Sequence, residues 1–334
     1  MAYDVVSIPG DGIGPEVSDA TRRVVDATGV EINWHEYPAG AACIESHGKP
    51  LPDETVDAIR KYRIGLKGPV ATPIGTGFRS VNVELRKQLD LFANFRPALS
   101  VKGIKCRYQN VDLIVIRENT EGLYSGLEHE VVPGVVESQR IITQRNSERI
   151  LDAAFRVATN LNRKKVTAVH KANILKLSDG LFLNVAREVS KRYPDIEYDE
   201  AIVDATAMKL VQDPSQFDVM VMENLFGDII SDLTSGLIGG LGVAPSANIG
   251  TDCAVFEAVH GSAPDIAGKG IANPTALTIS ASLMLKHLGE TEAADKVRNA
   301  VNTVIGEGKS VTPDLGGSAN TNEYVDALIE AMQV

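Results

Sequence analysis

Val5-Val6-Ser7-Ile8-Pro9-Gly10-Asp11-Gly12-Ile13-Gly14-Pro15 reads as a short buried strand, a tight glycine turn and the first position of a helix. Val17, Val24 and Val25 continue that helix. Strand followed by helix points to an α/β fold, and the alternation returns along the chain. Val111 to Arg117, Lys165 to His170, Ile196 to Val203 and Phe217 to Met222 are apolar strands bordered by helical or turn signals. Gly122 to Thr143 breaks the rhythm. There Val131-Val132-Pro133-Gly134-Val135-Val136 sets two β segments around a Pro-Gly turn and predicts a β arm. With no low-complexity linker and no short repeat, two domains would be formed by one chain crossing between them.

Some tempting motifs fail. Gly10-Asp11-Gly12-Ile13-Gly14 suggests a dinucleotide fingerprint, but its third glycine arrives one residue early and no acidic residue follows a second strand at the expected distance. Gly308-Lys309-Ser310 resembles the end of a P-loop, but Thr303 stands where the first glycine belongs, in a helical run. Histidines lack paired helical spacing and there is no G-x-S-x-G elbow, so zinc hydrolysis and serine nucleophile chemistry have little support.

Composition sets the surroundings. The chain has 334 residues, 44% of them hydrophobic, enough for a substantial core and two domains. A net charge of -11 gives no reason to expect nucleic acid or an anionic membrane as partner, so an anionic ligand needs a local basic cluster. Cys43, Cys106 and Cys253 are odd in number and widely spaced, which fits a reducing compartment and offers neither disulfide framework nor zinc site. Met1 leads straight into the first strand and no apolar stretch is long enough to span a bilayer, so a cytoplasmic location is expected.

Asn224-Leu225-Phe226-Gly227-Asp228-Ile229-Ile230-Ser231-Asp232 carries the chemistry. Helical from Gly227 to Leu237, it would put Asp228 and Asp232 on one face, where two carboxylates can share a hard cation such as Mg²⁺ or Mn²⁺. A solvated acidic face or helix-start pair is the plain alternative. Phe226, Ile229, Ile230 and Leu233 surround the pair and argue for a largely buried helix, where charges are paired or metal-bound. Asp204 adds a carboxylate about one supersecondary unit upstream. Arg79, Arg86, Arg96 and Arg117 supply the basic cluster, Arg117 at the C-terminal end of a strand, where open α/β sheets place ligands. Guanidinium forks match carboxylates, so arginines with a divalent cation imply a polycarboxylate.

Ser80-Val81-Asn82-Val83-Glu84-Leu85-Arg86, Leu91-Phe92-Ala93-Asn94-Phe95-Arg96-Pro97, Arg117-Glu118-Asn119-Thr120-Glu121-Gly122-Leu123-Tyr124, His170-Lys171-Ala172-Asn173, Gly227-Asp228-Ile229-Ile230-Ser231-Asp232-Leu233 and His260-Gly261-Ser262-Ala263-Pro264-Asp265 together resemble the isocitrate and isopropylmalate dehydrogenase family. The likeness runs from about Val5 to about Gly317. It implies a two-domain fold distinct from the Rossmann fold, with a large domain from 1–91 and 239–334, a small domain from 92–238, and a clasp at 122–143 that builds a homodimer. It implies oxidative decarboxylation of a β-hydroxyacid. By resemblance, Asp228 and Asp232 bind Mg²⁺ or Mn²⁺ with Asp204 of a second subunit. Lys171, also contributed across the dimer, assists deprotonation of the substrate hydroxyl, Asp204 relays protons, and Tyr124 protonates the enolate. Arg86, Arg96, Arg117 and Asn173 join them around the substrate.

The family's nucleotide loop is matched by Glu257, His260, Gly261, Ala263 and Asn273, with Thr72 near the nicotinamide. Asp265 can accept a hydrogen bond from a free ribose 2′-hydroxyl but repels a 2′-phosphate, and Ile266 adds no positive charge, so NAD is expected over NADP. Ser80 and Asn82 beside Arg86 offer a hydroxyl and an amide to a third carboxylate, which favours isocitrate; helix capping is the competing use of these residues. Homoisocitrate is the runner-up substrate, then 3-isopropylmalate. The chain also resembles catalytic subunits whose complexes contain related, non-catalytic regulatory subunits. Against that second class stands the complete set Tyr124, Lys171, Asp204, Asp228 and Asp232.

Overall fold

The computed structural model describes residues 2–71 and 79–333. β1 (Tyr3–Ile8) runs into α1 (Gly14–Asp26), which carries Pro15 in its first turn and buries Val17, Ala20, Thr21, Val24 and Val25. Proline suits that start because its fixed φ is helical and its missing N–H has no partner to lose. β2 (Ile32–Glu36), α2 (Cys43–His47), α3 (Asp53–Tyr62), β3 (Ile64–Lys67) and α4 (Val81–Gln88) follow. The middle of the chain holds β4 (Ala93–Leu99), β5 (Asp112–Glu118), β6 (Gly122–Val132), β7 (Val135–Ile141), α5 (Gln144–Asn160) and β8 (Lys165–His170). It continues through α6 (Ser178–Ser190), β9 (Glu197–Ile202), α7 (Val203–Gln212), β10 (Val219–Met222) and α8 (Asn224–Leu237). β11 (Pro245–Ile249), β12 (Ala254–Ala258), α9 (Thr275–His287), α10 (Thr291–Glu307) and α11 (Thr321–Ala331) complete it.

Ten strands form one sheet in the order β2-β1-β3-β12-β11-β4-β5-β10-β8-β9. Both flanks are parallel, and antiparallel pairing of β12 with β11, β11 with β4 and β4 with β5 reverses direction through the centre. The α/β expectation is therefore met by a mixed sheet. One core cluster contains Val17 and Leu285 together with Val115 and Met222, so it spans both expected domains; another gathers under α5 and α6. Pro97 sits in β4 without breaking the sheet because the ladder to β11 ends at Phe95.

β6 and β7 form a separate antiparallel hairpin turning on Pro133-Gly134, as the sequence predicts. Val131, Val132, Val135 and Val136 on it are all exposed. The run before Gly308 is the helix α10, and Gly308 is its left-handed cap, consistent with discarding the P-loop. Asp11, in the rejected dinucleotide turn, braces loops: its carboxylate accepts from the backbone N–H of Ala41, Ala42 and Ala71. Among the described residues no helix is long and apolar enough to cross a membrane.

Candidate active site

Period-two alternation builds the site's floor. Glu257 lies opposite Lys67 and Ser246, Asn248 opposite Asn94, and Asn94 opposite Arg117, so a polar stripe crosses one face of the central strands. Above it, Lys67, Ser80, Asn82, Arg86, Arg96, Arg117, Tyr124, Asp228, Asp232, Ser246, Glu257, His260 and Gly261 line a cavity of about 320 Å³.

The metal motif is helical as expected, though α8 begins at Asn224, where the Glu223 carboxylate accepts from the Leu225 and Phe226 amides. Ile229 corrects one expectation: its side chain is exposed, and the buried face is Gly227, Ile230, Ser231, Thr234 and Ser235. Gly227 is required by packing, since a Cβ there would lie 2.4 Å from Arg117 Cγ. The Arg117 stem crosses α8 at that gap, and its guanidinium is fixed by Asn224 Oδ1 at 2.7 and 3.0 Å and by Asp228. Arg96 donates to Asn94 Oδ1 at 2.6 Å, to Ser231 Oγ at 2.6 Å and to Asp232 at 3.2 Å. Arg86 and Lys67 both grip the buried Glu257, at 3.0 and 2.7 Å, while Asn248 donates to the same carboxylate at 2.7 Å.

These contacts set the charges. Burial and the neighbouring arginines pull Arg117 down to about 10, still cationic at neutral pH. Burial works against ionisation of Asp228, but Arg117, the Tyr124 hydroxyl and Arg96 outweigh it and hold the carboxyl below its usual value. Asp232 goes the other way, raised by burial and by Asp228 beside it. Tyr124 donates its hydroxyl to Asp228; burial and that bond push its pKa up, so the phenol keeps its proton. Glu257 is held well below the carboxylate range, because Lys67 and Arg86 overcome its burial.

Ser80 is the N-cap of α4 yet makes no capping bond, and Asn82 Oδ1 is buried with no partner among the described residues, so these two polar groups are placed to meet a ligand. His260 Nε2 is a further buried orphan on the cavity wall. Glu257, expected at the cofactor, lines the cavity with its carboxylate held by Lys67, Arg86 and Asn248. Ala263 adopts a left-handed backbone at φ 38°, Asp265 is exposed and Ile266 is half-buried beside it. Asn273 bonds Asp314 and the Thr275 amide, away from the cavity. Thr72 lies outside the described residues, and Arg79 is exposed and does not line the cavity.

Lys171 and Asp204 pair with each other on the surface, and Asn173 is exposed nearby in sequence; none of the three lines the cavity. Among the described residues no group of three or more His, Cys, Asp and Glu comes together as a metal cage. Asp228 and Asp232 nonetheless fit part of a hard-cation site, as two oxygen donors on successive helical turns facing the cavity. Sequence reasoning missed Lys67 and Ser246. A lysine inside the short apolar strand Ile64–Lys67 was the available signal, since a buried ammonium needs a carboxylate.

The chain matches the isocitrate/isopropylmalate dehydrogenase family over residues 4–328 and belongs to it. A mitochondrial NAD isocitrate dehydrogenase catalytic subunit 5 of Arabidopsis thaliana is 53% identical over 96% of this chain and 86% of its own. A mitochondrial NAD isocitrate dehydrogenase regulatory subunit of Dictyostelium discoideum is also 53% identical, over 98% of this chain and 91% of its own. The crystal structure of isocitrate dehydrogenase from Methylococcus capsulatus superposes with a TM-score of 0.96 at 53% identity, covering 99% of this chain and 100% of the other. The Arabidopsis and Dictyostelium relatives are mitochondrial and lend no support to the expected cytoplasmic location.

Proposed function

We propose that this chain is an NAD-dependent isocitrate dehydrogenase that oxidises and decarboxylates isocitrate to 2-oxoglutarate and CO₂. The observation that carries this is the cavity itself: three buried arginines beside two metal-competent carboxylates and a protonated tyrosine, with polar atoms at Asn82 and His260 that have no partner among the described residues. Equal identity to catalytic and regulatory relatives leaves overall similarity silent between those roles, so the residues decide. A binding subunit has no chemical use for Tyr124, Asp228 and Asp232 held together.

Arg86, Arg96 and Arg117 would hold substrate carboxylates, and Ser80 and Asn82 would reach the third, which an isopropyl group would leave unsatisfied. Asp228 and Asp232, with Asp204 of a second copy, would hold Mg²⁺ or Mn²⁺, which when bound lowers the pKa of the substrate hydroxyl and stabilises enolate charge. NAD, the hydride acceptor, would lie along His260, Gly261, Ala263 and Asn273, with Asp265 and Ile266 selecting against a 2′-phosphate. Lys171 of the second copy would assist deprotonation of the substrate hydroxyl, with the Asp204 carboxylate it touches relaying the proton. Tyr124 would deliver its phenolic proton to carbon after CO₂ leaves, a role suited to a phenol kept neutral at its resting pH.

The second copy is an inference from incompleteness: one chain supplies two metal carboxylates and leaves Lys171 and Asp204 on the surface. Exposed apolar groups on the hairpin, at Ile174 and at Leu177 are the surface such a copy would cover. Relatives named as catalytic and regulatory subunits make a related but different partner the alternative to an identical one. On this reading 1–91 with 239–334, and 92–238, act as the large and small domains.

The test is NADH formation by the purified chain with Mg²⁺ on isocitrate, homoisocitrate and 3-isopropylmalate, with NADP as control. A kcat/KM clearly highest for isocitrate with NAD is expected. No turnover on any of the three would sink the catalytic reading.

A further inference from the structure

We infer that the opposite face of the sheet carries a second ligand site, for a small anion with an apolar or aromatic body. A cavity of about 650 Å³ opens there between β4, β5, β11 and β12 on one side and the C-terminal ends of α5 and α9 with the middle of α10 on the other. Strand alternation keeps it apart from the first: Arg96 and Ser246 line one, Phe95 and Ala247 the other.

Its wall is apolar, built from side chains such as Phe95, Phe256 and Leu283. Its charges do not balance. Arg163 is ion-paired to Asp112, the only carboxylate among the lining residues, and also to Asp218. Lys286 and Arg298 face the same cavity, and among the described residues neither has a hydrogen-bond or ion-pair partner. With both carboxylates that pair with Arg163 counted against the three cations, the wall and its immediate support stay at plus one, in a chain whose net charge is -11. His287 adds no further charge at neutral pH, because burial lowers its pKa. Asp112, and after it Asp295 on α10, act on the Arg298 guanidinium electrostatically without a hydrogen bond or ion pair to it among the described residues.

Leaving a partly buried guanidinium unpaired is costly, and an anionic group supplies the missing acceptor. The aromatic wall then takes the apolar body, the division of labour typical of small-molecule pockets. A carboxylate and a phosphate ester share this chemistry. The site does not depend on the catalytic reading.

Calorimetric titration of the full chain with 1-naphthoate, 1-naphthyl phosphate, 1-naphthalenemethanol and inorganic phosphate tests it. One of the two naphthyl anions should bind at one per chain, which also tells carboxylate from phosphate. The neutral alcohol and inorganic phosphate should bind at least about tenfold more weakly. Arg298→Gln, or the exposed Lys286→Gln, should weaken the naphthyl anion by about tenfold, and saturating isocitrate with Mg²⁺ should not displace it. Absence of anion binding, binding unchanged in both variants, equal binding of the alcohol, or displacement by isocitrate would each overturn the proposal.

Discussion

Asp228 and Lys171 belong to the same proposed reaction but occupy opposite surroundings. Asp228 is wedged among Arg117, Arg96 and Tyr124 at the edge of a cavity, whereas the Lys171 ammonium, outside that cavity, is paired with the exposed Asp204. The first region is finished by the fold of one chain, because burial forces each charge to find a partner. The second has two catalytically suited groups that lie outside that cavity. On the proposed reading, half of this site is built by folding and the other half is left for assembly.

The largest test of that contrast uses two variants. Asp228→Asn should lower kcat/KM by about a thousandfold, and Lys171→Met should do likewise. Co-refolding them in equal amounts should restore about a quarter of wild-type activity, since half the dimers are mixed and each mixed dimer has one intact site. No recovery would mean that each chain works alone and that Lys171 reaches its own cavity by some rearrangement.

Glu257→Gln asks how tightly the finished half is built. Breaking a buried ion cluster should cost about 3–5 kcal/mol in urea unfolding at pH 7. The folded pKa of Glu257 is depressed, so its contribution is present above its unfolded value and fades as pH falls through the folded one. The gap between wild type and variant should therefore narrow in acid below about pH 4.5. A gap independent of pH would assign the loss to packing.

Gly227→Ala should cost about 1–3 kcal/mol, because the new methyl displaces the Arg117 stem, and KM should rise with it. Unchanged melting and KM would show that Arg117 can be re-seated freely. The smallest effect is expected from Asn82→Leu: a shift of about tenfold in kcat/KM from isocitrate toward 3-isopropylmalate, with folding intact.

What the sequence made legible follows the same division. Lys165–His170 and the Val131-to-Val136 hairpin were readable because one has a continuous apolar run and the other a clear turn. β3, β4, β11 and β12 were not anticipated as strands. β4 alternates Asn94 and Arg96 with Phe95 and Pro97, and β11 alternates Ser246 and Asn248 with Ala247 and Ile249. Their polar positions hold the cavity together, so the service they give the site is what disguised them. Ile229 misled for a related reason: an apolar residue next to a buried motif looks like core, yet it points outward, in line with a helix that has one face left for something else. Asp228 and Asp232 were legible because helical spacing alone puts them on one face. Lys67 was overlooked, since a strand-end lysine next to a Gly-Pro turn looks exposed and only the apolar run before it hints at burial.

The sheet face that bears Arg96 also dictates what evolution can do to β4. Loops around this molecule can gain or lose residues, but a single-residue insertion before Asn94 would rotate every later side chain of the strand by half a turn. Arg96 would then point into oil and Phe95 into the carboxylate pocket. The strand can drift by substitution, residue for residue, while its length is frozen, and lineages of this chain should carry their insertions anywhere but there.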